Sequence, residues 1–419
     1  MKGREVATEL RLERQVHGGF TLGRLADGRV VLVRGGLPGE LVGVELETRK
    51  GVLFGAVSAV VEANPARVEA PRHPGLDLAH ASYGCQLELK REVIDDALRR
   101  SLKREVEVPP VRPSPKVWAY RGVVQPAVSA TGLGYRRPAS SEVLVLDGDP
   151  VATEAVNAAW TLLVHGGVQR LASSRELVIR ANDAGEALVC LISTAPPRAL
   201  LGLAHELVKA GLAGVSHAPF DPRGRFRSGA ERLAGARAIQ QSFGELDLTV
   251  NASSFAQPNA AAAGELYRTL TEWAGSGASA WELYAGGGAI AMHLTARFAQ
   301  VTALELDRSA VARGQRDAER LGLRNLRFER GDARFLRLPD DADLVVVNPP
   351  RAGLSAGLRD AVGRSGVESL IYVSCDVATW ARDVADLEAK GLRLVRFEPF
   401  DLYPHTHHVE LLSLLRRDA

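Results

Sequence analysis

The chain has 419 residues, of which 46% are hydrophobic and 24% are charged, and its formal net charge is +2. This length allows roughly two or three domains, and the composition is that of a globular protein. No apolar run reaches the ~18 to 20 residues of a membrane span, and the segment "MKGREVATEL" is not an apolar leader. We therefore expect a cytoplasmic protein with no membrane partner.

The cysteines are few, and each has to be interpreted singly. Cys85, Cys190 and Cys375 lie far apart without C-x-x-C spacing, which argues against a disulfide framework and a cysteine zinc site. Cys375 follows the apolar run "LIYVS" and precedes a helical pattern. A thiol there can be a small buried hydrophobe or a nucleophile activated by a helix N-terminus.

The first part of the chain reads as short strands. Residues 1–62 contain "ATELRLERQ", "FTLGRL", "RVVLVRG", "ELVGVELETRK" and "VLFGAVSAVVEA", separated by glycine-rich turns. About five strands in so short a segment predict a closed barrel of the OB type, a shape that often holds single-stranded nucleic acid.

A mixed α/β domain is predicted over residues 63–250. A proline-rich linker comes first, and helical periodicity then predicts a helix over 86–104, which we expect to pack on the catalytic domain. Further along, "RELVIRANDAGEALVCLIST" predicts a hairpin whose second strand buries Cys190. Arginine-rich stretches before residue 240 suit a nucleic-acid surface or ordinary solvated faces equally well.

From residue 251 to 419, strands alternate with helices. This order predicts a doubly wound, Rossmann-like α/β sheet whose ligand crevice lies at the carboxyl ends of the strands. Within "ELYAGGGAIAMHL", Gly286, Gly288 and Ala291 fit G-x-G-x-x-G/A, and Glu305 follows Gly286 by nineteen residues. The pattern indicates an adenosine-containing ligand but leaves a nicotinamide dinucleotide and S-adenosylmethionine as alternatives.

A second element narrows this choice. Asn348 ends the apolar strand in "VVVNPPRAGLS", and two prolines stiffen the backbone after it. Taken alone, the string fits an ordinary strand-ending turn. Beside the glycine loop and Glu305, it favours a methyl donor over a dinucleotide.

Four stretches resemble motifs of the RNA 5-methyluridine methyltransferases, which use S-adenosylmethionine to methylate C5 of uridine. They are "SSFAQPN" for F-x-Q-x-N, "NPPRAGL" for D-P-P-R-A-G, "YVSCDVATWARD" for Y-V-S-C-N-P-x-T-x-x-R-D, and "FDLYPHTHHVE" for F-D-x-F-P-x-T-x-H-V-E. The N-terminal segment also resembles the small RNA-binding barrel, of the TRAM type, that these enzymes carry. The likeness thus covers both ends of the chain.

The resemblance assigns roles to nine residues. It implies that Cys375 is the nucleophile and Glu410 the base, because uracil C5 becomes reactive only after a thiolate adds to C6, and its proton must later be removed. It implies that the methyl donor is held by Gln257, Tyr284, Gly286, Gly288, Glu305, Asp332 and Asn348. RNA is the implied partner, either ribosomal or transfer RNA, and no obligate protein partner is predicted.

The sequence departs from the family pattern in three respects. Many members hold an iron-sulfur cluster with four cysteines, whereas this chain has three in all, so we expect no cluster. Asn348 replaces the usual acid, which removes a charge near the cationic donor. Asp376 replaces an asparagine beside Cys375 and should raise the thiol pKa unless a cation such as Arg351 or Arg382 compensates.

The sequence therefore predicts an α/β enzyme with an OB-type, TRAM-like barrel, a mixed central domain and a class I methyltransferase domain. Other interpretations are an amino-group or cytosine-C5 nucleic-acid methyltransferase, and a non-catalytic RNA-binding protein that retains the fold. "HTHHVE" also suggests a metal site, but it lacks a helical H-x-x-x-H spacing. We expect no metal there.

Overall fold

The computed structural model of the chain describes residues 5–138, 140–336, 338 and 342–417. They form two compact units. The first unit comprises Met1–Ser114, Pro349–Arg364 and Tyr372–Ala419, and the second comprises Pro115–Asn348 and Ser365–Ile371.

The strands and helices are numbered in chain order. The strands are β1 Glu5–Val16, β2 Phe20–Arg24, β3 Val30–Arg34, β4 Leu41–Arg49, β5 Val52–Glu62, β6 Val123–Val124, β7 Ala127–Val128, β8 Leu133–Arg136, β9 Val143–Val145, β10 Ser174–Ala181, β11 Ala187–Ser193, β12 Gly214–Pro219, β13 Glu231–Gly235, β14 Ile239–Phe243, β15 Leu246–Val250, β16 Gly277–Leu283, β17 Phe298–Glu305, β18 Leu326–Arg330, β19 Leu344–Val347, β20 Ser369–Ser374, β21 Leu392–Phe400 and β22 Glu410–Arg417. The helices are α1 Tyr83–Leu102, α2 Glu154–His165, α3 Leu201–Lys209, α4 Ala260–Ala274, α5 Ala289–Leu294, α6 Arg308–Arg320, α7 Ala356–Arg364 and α8 Val377–Glu388. Among the described residues, no helix is both long and apolar enough to cross a membrane.

The first unit begins with a closed barrel of strand order β1-β2-β3-β5-β4. All neighbouring strands pair antiparallel except β3 and β5, which are parallel. Alternate side chains point inward, and the barrel core is built from Leu10, Leu12, Val31, Val33, Val42, Val44, Leu46 and Leu53. The predicted five-stranded barrel is confirmed.

Helix α1 follows the barrel and starts at Tyr83 rather than 86, ending at Leu102 rather than 104. Its buried side chains include Leu89, Ile94 and Leu98, spaced so that they share one face. The helix ends where Lys103 adopts a left-handed conformation (φ 52°) and donates its N–H to Arg99 O. Within the first unit α1 contacts α8.

The C-terminal part of the first unit contains the end of β20 from Tyr372 onward, helix α8, and the antiparallel pair β21 and β22. In the strand order β22 lies between β20 and β21. Trp380 of α8 is fully buried, and its indole N–H donates to Ser413 Oγ of β22 at 2.7 Å. This bond fixes α8 against the strand that starts at Glu410.

The second unit contains two larger sheets. One has the strand path β13-β12-β11-β10-β7-β8-β9, in which β11 and β12 are parallel, and it packs on α2 and α3. The other contains the parallel strands β18-β17-β16-β19, connected through helices such as α5 and α6. The predicted fold class, with its mixed central part and Rossmann-like sheet, is confirmed. The predicted bounds at residues 62 and 250 stay predictions.

Candidate active site

Cys375 lies at a turn between a buried strand and a helix in the first unit. The apolar, β-branched residues of β20 fill an interior strand, and Asp376 then caps α8 by accepting the N–H of Thr379 at 2.9 Å. Cys375 is partly exposed. It is therefore held on rigid structure on both sides while its sulfur stays accessible.

The surroundings of Cys375 favour the thiol form. Burial and the nearby charge of Glu410 raise its pKa to about 11, and the Arg351 guanidinium acts in the opposite direction. Asp376 is the weakest of these influences. Of the two cations considered from sequence, Arg351 acts on the thiol. Arg382 is held by Asp383 instead, with a 2.7 Å contact.

Glu410 opens β22 and is buried, with an exposed fraction of 1%. Burial raises the pKa of its carboxyl to about 8, and Arg351 lowers it. Its Oε2 atom is buried without a hydrogen-bond partner among the described residues. A carboxyl group in this state can exchange a proton near neutral pH.

Arg351 is fixed by the histidine that precedes Glu410 by two residues. Its guanidinium donates to His408 Nε2 at 3.1 Å. Burial lowers the pKa of His408 to about 3, so the ring is neutral and Nε2 can accept this bond. The neighbouring His407 contacts Asp77, with 2.5 Å between Nδ1 and Oδ2.

The charge of Asp376 is paired with a residue of the barrel. His17, in the turn between β1 and β2, places Nε2 3.2 Å from Asp376 Oδ2. The hydrogen bond raises the pKa of His17, and His17 together with the helix N–H groups holds the pKa of Asp376 well below its usual range. The carboxylate that departs from the family pattern is thus hydrogen-bonded to His17.

Helix α1 anchors the terminal motif that contains Glu410. Lys90 is buried and donates to Asp401 Oδ1 at 2.6 Å and to Tyr403 O at 3.3 Å. One turn earlier, Gln86 accepts the N–H of His405 at 2.8 Å. Two polar groups on the buried face of a helix are costly unless paired, and here both are paired to the same segment.

Several of the residues described above line a cavity of about 130 Å³. Its wall includes Cys375, Arg351, Lys90, His17 and His408. Sequence reasoning did not single out Lys90 or His17 as part of this site. Lys90 could have been recognised from the sequence, because it is a charged residue within the apolar face of α1. His17 lies in a turn, where no sequence pattern distinguishes it.

The predicted donor-binding residues lie in the second unit, mainly at the carboxyl ends of its parallel strands. Tyr284 follows β16 with φ 61°, and Gly286 (φ 57°) and Gly288 (φ 78°) follow it. Glu305 ends β17 and accepts the N–H of Gly286 at 2.8 Å and that of Asp307 at 2.7 Å. The acid therefore holds the glycine loop in place.

The other three predicted residues occupy neighbouring positions. Asp332 follows β18 and caps the 3-10 helix Ala333–Phe335 by accepting the backbone N–H of Arg334 at 3.0 Å, and the Arg334 guanidinium donates to the same carboxylate at 2.6 Å. Asn348 follows β19, and its N–H donates to Leu283 O at 3.4 Å. Gln257 is buried ahead of α4. Since β18, β17, β16 and β19 are adjacent and parallel, their ends form one crevice.

Comparison with known proteins finds similarity to RNA methyltransferases. Residues 244–418 match the model of the tRNA (Uracil-5-)-methyltransferase family. A protein of Caldanaerobacter subterraneus subsp. tengcongensis, described as an uncharacterized RNA methyltransferase, is 28% identical over 448 residues that cover 99% of each chain. A 23S rRNA (uracil(747)-C(5))-methyltransferase of Shewanella oneidensis is 33% identical over 187 residues, covering 43% of this chain and 48% of that protein.

The same family appears among solved structures. The crystal structure of Pyrococcus abyssi tRNA (uracil-54, C5)-methyltransferase, in complex with S-adenosyl-L-homocysteine, superposes with a TM-score of 0.77 and 26% sequence identity. The match covers 99% of this chain and 100% of that one. The likeness thus extends over the barrel, the central sheet and the Rossmann-like sheet together.

Proposed function

We propose that the chain is an RNA 5-methyluridine methyltransferase, in keeping with its similarity to that family, and that it methylates C5 of a uridine in RNA through a covalent bond between Cys375 and C6. The observation that carries this proposal is the proximity of the two reactive groups. Cys375 directly follows β20, and Glu410 opens the neighbouring strand β22. The charge of Glu410 raises the pKa of Cys375. The enzyme needs one nucleophile and one base, and these two residues supply them.

The reaction on uracil begins at Cys375. After its thiol loses a proton, the thiolate adds to C6, and the electron pair of the C5–C6 double bond moves into an enolate on the C4 carbonyl. When bound, S-adenosylmethionine supplies the electrophilic methyl group that C5 takes. Glu410 then removes the C5 proton, so that the double bond reforms and the thiolate leaves.

Arg351 has two effects in this scheme. Its charge lowers the pKa of Cys375 and favours the thiolate. The same charge lowers the pKa of Glu410 and favours the carboxylate that acts as base. Both groups are buried enough that their charged forms are costly, so a cation beside them is what the chemistry requires.

S-adenosylmethionine fits the second unit. Gln257, Tyr284, Gly286, Gly288, Glu305, Asp332 and Asn348 are the residues that would hold it. The glycine loop supports this fit because Gly286 has a positive φ and an added Cβ would meet nothing within 4 Å. A backbone that is open at this point lets a ligand approach closely.

RNA would be contacted by the barrel in the first unit. Phe20 and Phe54 lie on its surface with ring centroids 5.4 Å apart, and Arg34 lies 4.5 Å from the centroid of Phe20. Aromatic rings flanked by arginine are suited to stacking with bases of single-stranded RNA. The target uridine has to leave its stack for the sulfur to reach C6.

The test uses RNA from cells that lack the protein, incubated with S-adenosylmethionine carrying a labelled methyl group. We expect 5-methyluridine from the wild-type enzyme and none from Cys375→Ala. Glu410→Gln should accumulate a protein–RNA adduct that survives denaturing electrophoresis, because the methylated intermediate keeps its C5 proton. Glu368→Gln, at an exposed glutamate, is the matched control and should behave as wild type.

Three outcomes would refute the proposal. Methylation by Cys375→Ala would exclude the covalent route, and label in 5-methylcytidine or on an amino group would identify a different nucleic-acid methyltransferase. RNA binding without any transfer from wild type would support a non-catalytic protein.

A further inference from the structure

A buried arginine in the second unit lacks an anionic partner. Arg180 of β10 is 5% exposed, and one nitrogen of its guanidinium donates to Ser254 O at 2.7 Å. Its Nε is buried without a hydrogen-bond acceptor among the described residues. Burial, together with the charge of Arg313, lowers its pKa to about 10. No carboxylate compensates the Arg180 charge in the described part of the chain.

A second guanidinium lies against the glycine loop. Arg313 of α6 is 7% exposed, and an added Cβ on Gly287 would lie 3.6 Å from its terminal nitrogen. Within the ranges that the structure describes, no oxygen accepts a hydrogen bond from Arg313. Burial lowers its pKa, whereas the charges of Asp307, Asp317 and Glu305 raise it without a hydrogen bond.

The acidic groups around Arg313 are already bound to other donors. Asp317 accepts from Thr249 N at 2.8 Å and from Thr249 Oγ1 at 2.6 Å. Asp307 accepts from Ala310 N at 2.7 Å as the cap of α6. These carboxylates therefore form hydrogen bonds within the fold. Among the described residues, neither guanidinium group has a hydrogen-bonded anion.

An isolated buried charge is expensive, and proteins keep one mainly where it meets a ligand. Ser254, which accepts from Arg180, is three residues before Gln257, and Arg313 lies beside Gly287 of the glycine loop. Both arginines thus border the segments assigned to the methyl donor. A planar anion that accepts several N–H bonds would suit these two guanidinium groups.

We propose that Arg180 and Arg313 form the binding site for the α-carboxylate of the methyl donor. This inference rests on the proposed function, since it takes S-adenosylmethionine as the ligand. A guanidinium matches a carboxylate through two parallel hydrogen bonds. Two such groups would select an amino-acid moiety that carries its carboxylate over one that has lost it.

The experiment measures binding of S-adenosylhomocysteine and of its decarboxylated analogue by calorimetry, without RNA. We expect wild type to bind the carboxylate form at least about 10- to 100-fold more tightly, as a charged hydrogen-bonded pair provides. Arg180→Met should reduce that preference by about tenfold or more, chiefly by weakening S-adenosylhomocysteine. Arg175→Met, at an exposed arginine of the same strand, should retain the wild-type ratio.

A stability measurement separates ligand binding from a structural role. Because Arg180 carries an unpaired buried charge in the free protein, Arg180→Met should keep or raise the melting temperature of the ligand-free enzyme. A variant that melts lower and weakens both ligands equally would overturn the inference. Wild type that binds both ligands equally would overturn it while leaving the proposed function standing. Failure of wild type to bind S-adenosylhomocysteine would overturn both.

Discussion

The pKa of Cys375 should respond in opposite directions to two substitutions beside it. Burial and Glu410 raise this pKa to about 11, and Arg351 opposes them. At pH 9 a thiol of that pKa is ionised to about one part in a hundred. Glu410, whose pKa is about 8, is mostly charged at pH 9. Glu410→Gln should therefore lower the thiol pKa, whereas Arg351→Ala should raise it.

The change in the alkylation rate of Cys375 depends on two opposing factors, the fraction of thiolate and its nucleophilicity. A neighbouring charge shifts a pKa by about one unit or more, so Glu410→Gln should give roughly tenfold more thiolate. Each thiolate becomes about threefold less nucleophilic as its pKa falls by one unit, so alkylation at pH 9 should be about threefold faster. Arg351→Ala should be about threefold slower.

The assay follows iodoacetamide alkylation of Cys375 at pH 9 by mass spectrometry of its peptide. Glu368→Gln is the control and should match wild type. Equal alkylation rates for wild type and Glu410→Gln, or a faster rate for Arg351→Ala, would refute the electrostatic coupling on which the proposed mechanism depends.

Three further substitutions test other parts of the structure. In urea unfolding, His17→Gln should destabilise the protein by about 0.5–1 kcal/mol at pH 5.5 and not at pH 9. A histidine whose pKa is raised by folding stabilises the folded state below about pH 6.5, and this contribution is lost as the pH rises through the folded-state pKa. Equal losses of unfolding free energy at both pH values would contradict this. Lys90→Met should cost about 3–5 kcal/mol by leaving Asp401 charged and buried, and adding Asp401→Leu should recover part of it. Gly288→Ala should lower the melting temperature more than Gly286→Ala, because its Cβ would lie 2.5 Å from a ring carbon whereas that of Gly286 meets nothing within 4 Å.

Features set by local pattern were predictable from the sequence. Alternating apolar residues and glycine-rich turns identify the barrel, whose strands β1 to β5 span Glu5–Glu62. The glycine loop was predictable because a strand pattern, a run of glycines and a helix pattern occur within a few residues of Gly286. The structure confirms a positive φ at Gly286. These signals act over short distances along the chain, so composition and periodicity contain them.

Features that join distant segments were not predictable. His17 and Asp376 are separated by 359 residues, and Lys90 and Asp401 by 311. No periodicity relates such positions, and a histidine in a glycine turn has no distinguishing neighbour. The sequence offers the nearby Arg351 and Arg382 as compensating cations. In the structure Arg351 lowers the pKa of Cys375, and His17 of the barrel is hydrogen-bonded to Asp376.

The buried ion pair under the terminal motif has a physical reason in the proposed chemistry. A carboxyl group with a pKa near 8 has to be held away from water. Glu410 meets this condition, because it is only 1% exposed. Burying it destabilises the segment that carries it. Lys90 and Gln86 of α1 bind that segment at Asp401 and His405. These polar contacts of the helix offset the unfavourable burial of the Glu410 carboxyl. Substitutions in α1 should therefore affect the base without touching it.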